Sequence, residues 1–334
     1  MTNDIIKLKN APKIIYSAAA VGQHEHDGTL GRYFDWHCDD DKFGMDTWEK
    51  AEGEMQRIAL NLAMAKGKLS QDDIGVLFAG DLINQCTCSA QGLLSFDIPY
   101  FGLYGACSTA AEGMALASML IDGGHYERAA VVTSSHNCSS ERQYRFPLEY
   151  GGQRTPTSQW TVTGAGAFIL SREGDGPCIS EVLVGRTVDR GITDANNMGA
   201  AMAPAALDTL LRYFRQSGTS PSDFDMIITG DLGYEGSSVL TELALREGYD
   251  ISGVLFDCGL LIYDRKAQDM HAGGSGCGCF ASVMGSYIIP RMRSGNPSRI
   301  LAMATGALMS PLSVGQGQSI PGIAHLLRIE SGKK

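Results

Sequence analysis

Tyr104–Ile121 reads YGACSTAAEGMALASMLI, and this stretch decides the fold. A short apolar approach, Ile98-Pro99-Tyr100-Phe101-Gly102-Leu103-Tyr104, runs into Gly105-Ala106-Cys107, and small or apolar residues of good helix propensity follow. The pattern is strand, tight turn, helix, with Cys107 at the junction. The first N–H groups of a helix lack intrahelical partners, and that end of the dipole is positive. A thiol placed there is expected to ionise more readily and to serve as a nucleophile. The same geometry holds an anion without any chemistry. Bond-making and simple holding are therefore the two functions to be separated.

A chain of 334 residues exceeds one ordinary core, so two halves are expected. Hydrophobic residues make up 44% and charged residues 19%, as in a folded globule. Asp and Glu outnumber Lys and Arg by 37 to 27, and the net charge of −10 argues against a nucleic-acid groove. No apolar run approaches the ~20 residues of a membrane span. The opening MTNDIIKLKN has no signal-peptide core. Nine cysteines, an odd number, read as reduced thiols and point to synthesis in the cytoplasm.

Working outward, Lys13–Val21 is expected to be a strand, followed by a polar segment with His24-Glu25-His26-Asp27 and Asp39-Asp40-Asp41. The His-Glu-His group lacks the i, i+4 spacing of a metal pair and reads as a solvated loop. Asp46-Thr47-Trp48-Glu49 resembles a capping box opening a helix to about Lys68, with Met55, Ile58, Ala59, Leu62 and Ala63 on one face. Asp73–Asp81 and Arg128–Ser134 are continuous apolar runs, read as strands covered on both faces and joined by a parallel crossover.

The second half repeats the first. Asp225–Asp231 echoes Gly75–Asp81, with Asp231 lying 150 positions after Asp81. His271–Cys279 leads into a second small-residue helix, in which Cys279 matches Cys107 and Gly285 matches Gly113, both 172 positions on. Ile300–Thr305 mirrors Ala129–Ser134, and Pro321–Leu327 mirrors Thr163–Leu170. The chain is therefore expected to be an internal duplication, residues 1–172 and 173–334, of an α/β unit containing βαβ. Its two Ala-, Gly- and Ser-rich helices would pack centrally between sheets.

A duplicated α/β half with a cysteine at the start of its buried helix resembles the thiolase-like fold of acyl-condensing enzymes, a layered α-β-α-β-α arrangement. TGAGAFIL at Thr163–Leu170 is similar to a strand of the ketoacyl synthase III branch. Longer motifs across about Pro12 to Glu330 resemble the stage V sporulation protein AD family of endospore formers. They are FAGDLINQ, YGACSTAAEG, SSHNCSSERQYRFPLEYGGQRTPTSQWTVTGAGA, NNMGAAMAPAA, ITGDLG and HAGGSGCGC. The resemblance implies non-catalytic binding of dipicolinic acid, pyridine-2,6-dicarboxylate. It further implies uptake of that acid into the developing spore and release at germination, with membrane proteins of the same operon as partners. The chain itself would be peripheral at the spore inner membrane, after synthesis in the forespore cytoplasm.

Condensing enzymes of this fold pair their cysteine with histidine and asparagine, or with two histidines. The matching positions here carry Gly230-Asp231 and Ala272-Gly273-Gly274-Ser275, with His271 close by as the substitute. The nucleophile position is kept while oxyanion-stabilising groups are lost. The competing reading is an acyl-thioester condensing enzyme using Cys107 with His136 or His271.

For a flat dianion, the candidate donors are the amides at Cys107 and Ser108, a facing backbone nest at Gly274 and Ser275, Asp231, His271, His136, and a lid bearing Arg142, Arg145 and Arg154. The plainer readings keep the arginines paired with Glu141 and Glu149, Asp231 as a turn cap, and Cys86, Cys88, Cys277 and Cys279 as packing thiols. No cofactor or metal is expected, and calcium would enter only as part of the ligand. A homodimer is the expectation for the fold.

Overall fold

The computed structural model describes residues 4–144 and 154–332. Ten strands carry the architecture. They are β1 (Lys13–Gly22), β2 (Val76–Gly80), β3 (Tyr100–Gly102), β4 (Arg128–Ser135), β5 (Gly164–Ser171), β6 (Cys178–Leu183), β7 (Met226–Thr229), β8 (Leu255–Asp257), β9 (Arg299–Ala307) and β10 (Gly322–Glu330). They run in the order β3-β2-β4-β5-β1-β6-β10-β9-β7-β8. Read outward from the middle, the order on one side is the order on the other, displaced by five strands.

The strand senses repeat as well. β2 is parallel to β3 and β4, as β7 is to β8 and β9, and β5 and β10 run antiparallel to their neighbours. The two five-stranded leaves meet at one residue pair, Lys13 with Cys178. The duplication is thus written in the sheet, and the link between Ser171 and Cys178 separates its halves.

Why each leaf is covered on both faces is visible along β4. Ala129 and Val131 belong to the core between the leaves, whereas Ala130 and Val132 belong to the core on the outer face. Side chains alternate across a strand, so an unbroken apolar run feeds two layers at once. The outer face of the first leaf is covered by α1 (Trp48–Lys66) through Ala51, Met55, Ala59 and Ala63. Thr47 caps α1, its hydroxyl accepting from the Lys50 N–H at 3.3 Å. The short α2 (Thr87–Gly92) packs beside it.

Between the leaves lie α3 (Thr109–Asp122) and α7 (Cys277–Val283), the latter extended by a π-helical turn at Met284–Ile288. The second leaf's outer face is covered by α5 (Met198–Ser217) and α6 (Gly233–Arg246), α5 contributing Met202, Ala206 and Leu210. α4 (Asn137–Tyr144) follows β4. The result is the layered α-β-α-β-α arrangement.

Small residues let the central layer close. A Cβ at Gly166 would lie 2.3 Å from the Ala281 carbonyl oxygen, and one at Gly278 2.2 Å from that of Gly164. Strand β5 and helix α7 therefore touch backbone to backbone.

Three expectations are corrected here. Ala106 (φ +49°) and Gly276 (φ +107°) occupy the same turn in the two halves, and the Thr109 and Cys279 N–H groups donate to their carbonyls. Cys277, not Cys279, is therefore the counterpart of Cys107. Two helices rich in Ala, Gly, Ser and Cys match in several registers, and only the turn fixes the true one. The His-Glu-His segment is not a solvated loop: Gln23–His26 forms a helical turn in which Glu25 is buried and accepts from Tyr263 and from the Thr163 N–H. Cys88 does not pack among apolar groups but faces Glu52, with Sγ 3.6 Å from its Oε2.

Candidate functional site

Ala106 in the left-handed region turns the chain sharply after β3 and delivers Cys107 to the head of α3. The thiol is buried against Leu82 and Cys277, with the half-buried Tyr144 over the group. Tyr144 Oη donates to the Leu82 carbonyl oxygen at 2.5 Å and lies 3.1 Å from the hydroxyl of Tyr104. The two rings and Leu82 give the junction an aromatic and apolar wall.

From the other half comes Asp231, one residue beyond the Gly that follows β7, and wholly buried. Its Oδ2 accepts from Ser275 Oγ at 2.8 Å and from the Gly276 N–H at 3.1 Å, and its Oδ1 accepts from Thr305 Oγ1 at 2.8 Å. Ser275 Oγ is also 3.9 Å from Cys107 Sγ. The Gly276 amide at the head of α7, next to the Gly274–Ser275 nest expected to face a ligand, is thus occupied by the protein's own carboxylate. Burial pushes the pKa of Asp231 up, against hydrogen bonds that favour the ionised form.

The electrostatics reverse the expectation for Cys107. Burial, then the Asp231 carboxylate and the Cys277 thiol, raise its pKa well above that of a free thiol. The helix-end effect acts within a turn and is worth roughly 0.3–1 kcal/mol at most exposed sites. A carboxylate beside a desolvated thiol outweighs it. Burial and the Asp231 carboxylate thus favour the neutral thiol at Cys107.

The structure brings Cys107, Asp231 and Ser275 together and engages the remaining candidates elsewhere. Ser108 donates back to the Gly105 carbonyl at 2.6 Å, closing the turn. Gly274 lies with Ser275 on a short strand paired with Trp160 and Thr161, and its carbonyl accepts from Gln159. His136 is buried with both ring nitrogens used: Nε2 is 2.6 Å from the Asp41 carbonyl oxygen and Nδ1 accepts the Cys138 N–H at 3.1 Å. It is not free to take a proton from Cys107, and burial depresses its pKa.

His271 bonds the Thr155 carbonyl through Nδ1 at 2.6 Å and lies 3.3 Å from Asp269 through Nε2, so it does not substitute as the missing imidazole. Arg154 pairs with the same Asp269 at 2.8 Å and lies over Trp160. Arg142 pairs with Glu49 and stacks on Trp48. Arg142 and Arg154 thus each find an acid from distant sequence, Glu49 and Asp269. Arg145 and Glu149 lie outside the described residues.

Leu82, Tyr104, Cys277 and Thr305 join the site without having been expected there from the sequence. No sequence signal separates Cys277 from Cys279; the positive φ shared by Ala106 and Gly276 shows only in the fold. Nothing local marks Leu82 or Thr305, which arrive from separate strand ends.

The model of the stage V sporulation protein AD family matches residues 2–330. A stage V sporulation protein AD of Bacillus subtilis (strain 168) is 44% identical over 315 residues, spanning 94% of this chain and 93% of that protein. Among solved structures, OleA of Xanthomonas campestris with cerulenin superposes with a TM-score of 0.62 at 13% identity, covering 96% of each chain. A 3-oxoacyl-(acyl carrier protein) synthase III from Xanthomonas oryzae pv. oryzae gives 0.59 at 13% identity, over 96% of this chain and 100% of that one. Likeness at that level speaks for the fold alone, and the fold is thiolase-like.

Proposed function

This chain belongs to the stage V sporulation protein AD family, and from that premise we propose that it binds dipicolinate at the Cys107 junction without catalysing a reaction on it. The observation that carries the reading is the company of Cys107. Where a condensing enzyme needs an imidazole to take the thiol proton and donors free for an oxyanion, this chain places Asp231, which raises the thiol's pKa and occupies the Gly276 amide.

The Tyr104–Tyr144 pair and Leu82 offer a flat ring its wall. Calcium enters only with the ligand. Uptake into the spore and release at germination follow from such binding in concert with membrane partners. Those partners would hold the chain at the spore inner membrane, because no helix among the described residues is long and apolar enough to cross one. A second copy is the other expected partner, and edge strand β3, with Tyr100 and Phe101 exposed, is the surface for it.

Calorimetric titration with dipicolinate, beside phthalate and acetyl-CoA, tests the reading. Saturable dipicolinate binding weakened about tenfold or more by Tyr144→Ala is the expected result. Absence of dipicolinate binding, together with an acyl group left on Cys107 by acetyl-CoA, would replace the carrier with an enzyme.

A further inference from the structure

A second polar group lies inside the first half, away from the wall of tyrosines. Glu52 and Gln56 stand one turn apart on α1, both fully buried. Asp81 follows β2 and Cys88 belongs to α2, and both are fully buried too. One ligating atom from each of Glu52, Asp81 and Cys88 lies within 4.8 Å of the others.

The partners of these carboxylates are neutral. Glu52 accepts from Ser134 Oγ at 2.9 Å, Ser139 Oγ at 2.8 Å and Cys88. Asp81 accepts from the Ile83 N–H at 2.8 Å and from the Ser89 N–H and hydroxyl at 2.8 and 2.5 Å. Two buried carboxylates side by side with neutral partners are costly when ionised.

An independent observation comes from Gln56. Its Nε2 donates to the very hydroxyls that serve the two carboxylates, Ser134 at 2.7 Å and Ser89 at 2.9 Å. Its Oε1, on the same planar amide, is buried without a hydrogen-bond partner. A buried amide oxygen left unpaired is costly unless something electropositive meets it.

We propose that Glu52, Asp81 and Cys88, with the Gln56 amide oxygen as fourth donor, form a buried structural site for Zn2+. A thiolate in the donor set selects zinc over calcium or magnesium. The spacing fits: bonds of about 2.3 Å to sulfur and about 2.0 Å to oxygen at tetrahedral angles put S and O about 3.5 Å apart. The Cys88 Sγ to Glu52 Oε2 separation is 3.6 Å. The frame is also rigid, since a Cβ on Gly53 of α1 would lie 2.9 Å from both the Cys88 carbonyl oxygen and the Gly92 Cα. Zinc binding displaces the Cys88 proton. Affinity therefore rises with pH. The site is independent of the dipicolinate reading and stands or falls without that ligand.

The test uses tag-free full chain prepared with Zn2+ and freed of loose metal on a weak chelating resin, with no dipicolinate present. About one zinc per chain by elemental analysis, and after exchange a Co2+ spectrum with a thiolate charge-transfer band, are expected. Cys88→Ser should abolish that band and weaken metal binding about a hundredfold or more, while Cys178→Ala keeps both. Gln56→Ala should retain the band with lowered affinity, so the proposal is read even where Cys88→Ser folds poorly. Folded protein that carries no stoichiometric zinc and shows no band overturns the site, as does a band that persists in Cys88→Ser.

Discussion

Replacing Asp231 by Asn isolates what the buried carboxylate does to Cys107. The two groups share the Ser275 hydroxyl, 2.8 Å from Asp231 Oδ2 and 3.9 Å from Cys107 Sγ. At a separation of roughly 5 Å and an effective dielectric of about 20, a unit negative charge costs the thiolate about 3 kcal/mol. That is about two pKa units, or a hundredfold in thiolate population. Asn keeps the size of the side chain and an oxygen for Thr305 or Ser275, so the packing survives while the charge goes.

The assay is alkylation by iodoacetamide at pH 8, followed by peptide mass spectrometry, with the half-buried Cys178 as internal reference. Cys107 in the variant should react up to about a hundred times faster than in the parent, with Cys178 unchanged. An equal or slower rate at Cys107 in folded Asp231→Asn protein would refute the argument that this carboxylate, rather than simple inaccessibility, keeps the thiol protonated.

Glu25 makes a pH prediction. Burial lifts its carboxyl from 4.5 to about 7 in the folded chain, so the native state holds a proton that the unfolded state has released between those values. The stability this gives is complete below pH 4.5 and is lost as pH rises through 7, a fall of about 3 kcal/mol. Denaturant titrations of Glu25→Gln should show that fall flattened, and a profile as steep as the parent's would assign it to other groups. Gly166→Ala should destabilise by about 1–3 kcal/mol or more in the same titration, since its Cβ meets the Ala281 backbone; an unchanged midpoint would mean β5 and α7 can part. Phe101→Asp on edge strand β3 should shift light-scattering mass from dimer to monomer with the fold intact by circular dichroism, and an unchanged mass would place the self-contact elsewhere.

The sequence by itself determined the layers and their duplication. Runs such as Ala129–Ser134 are apolar on both faces of a strand, and small-residue helices beginning near Cys107 and Cys277 can lie only where backbones approach closely. Those are local properties, carried by composition and period. The longer motifs carried the family.

What the tertiary structure alone decided was the partner of each polar side chain. Cys107 meets Asp231 across a gap of 124 positions, Arg142 meets Glu49, and Arg154 and His271 share Asp269. A charged or thiol group at the end of a strand reaches whichever neighbour the layer packing delivers, and no local pattern records that choice. The sign of the pKa shift at Cys107 followed from it. A helix head favours the thiolate, but a buried carboxylate from the opposite half acts at shorter range and in lower dielectric, and it prevails.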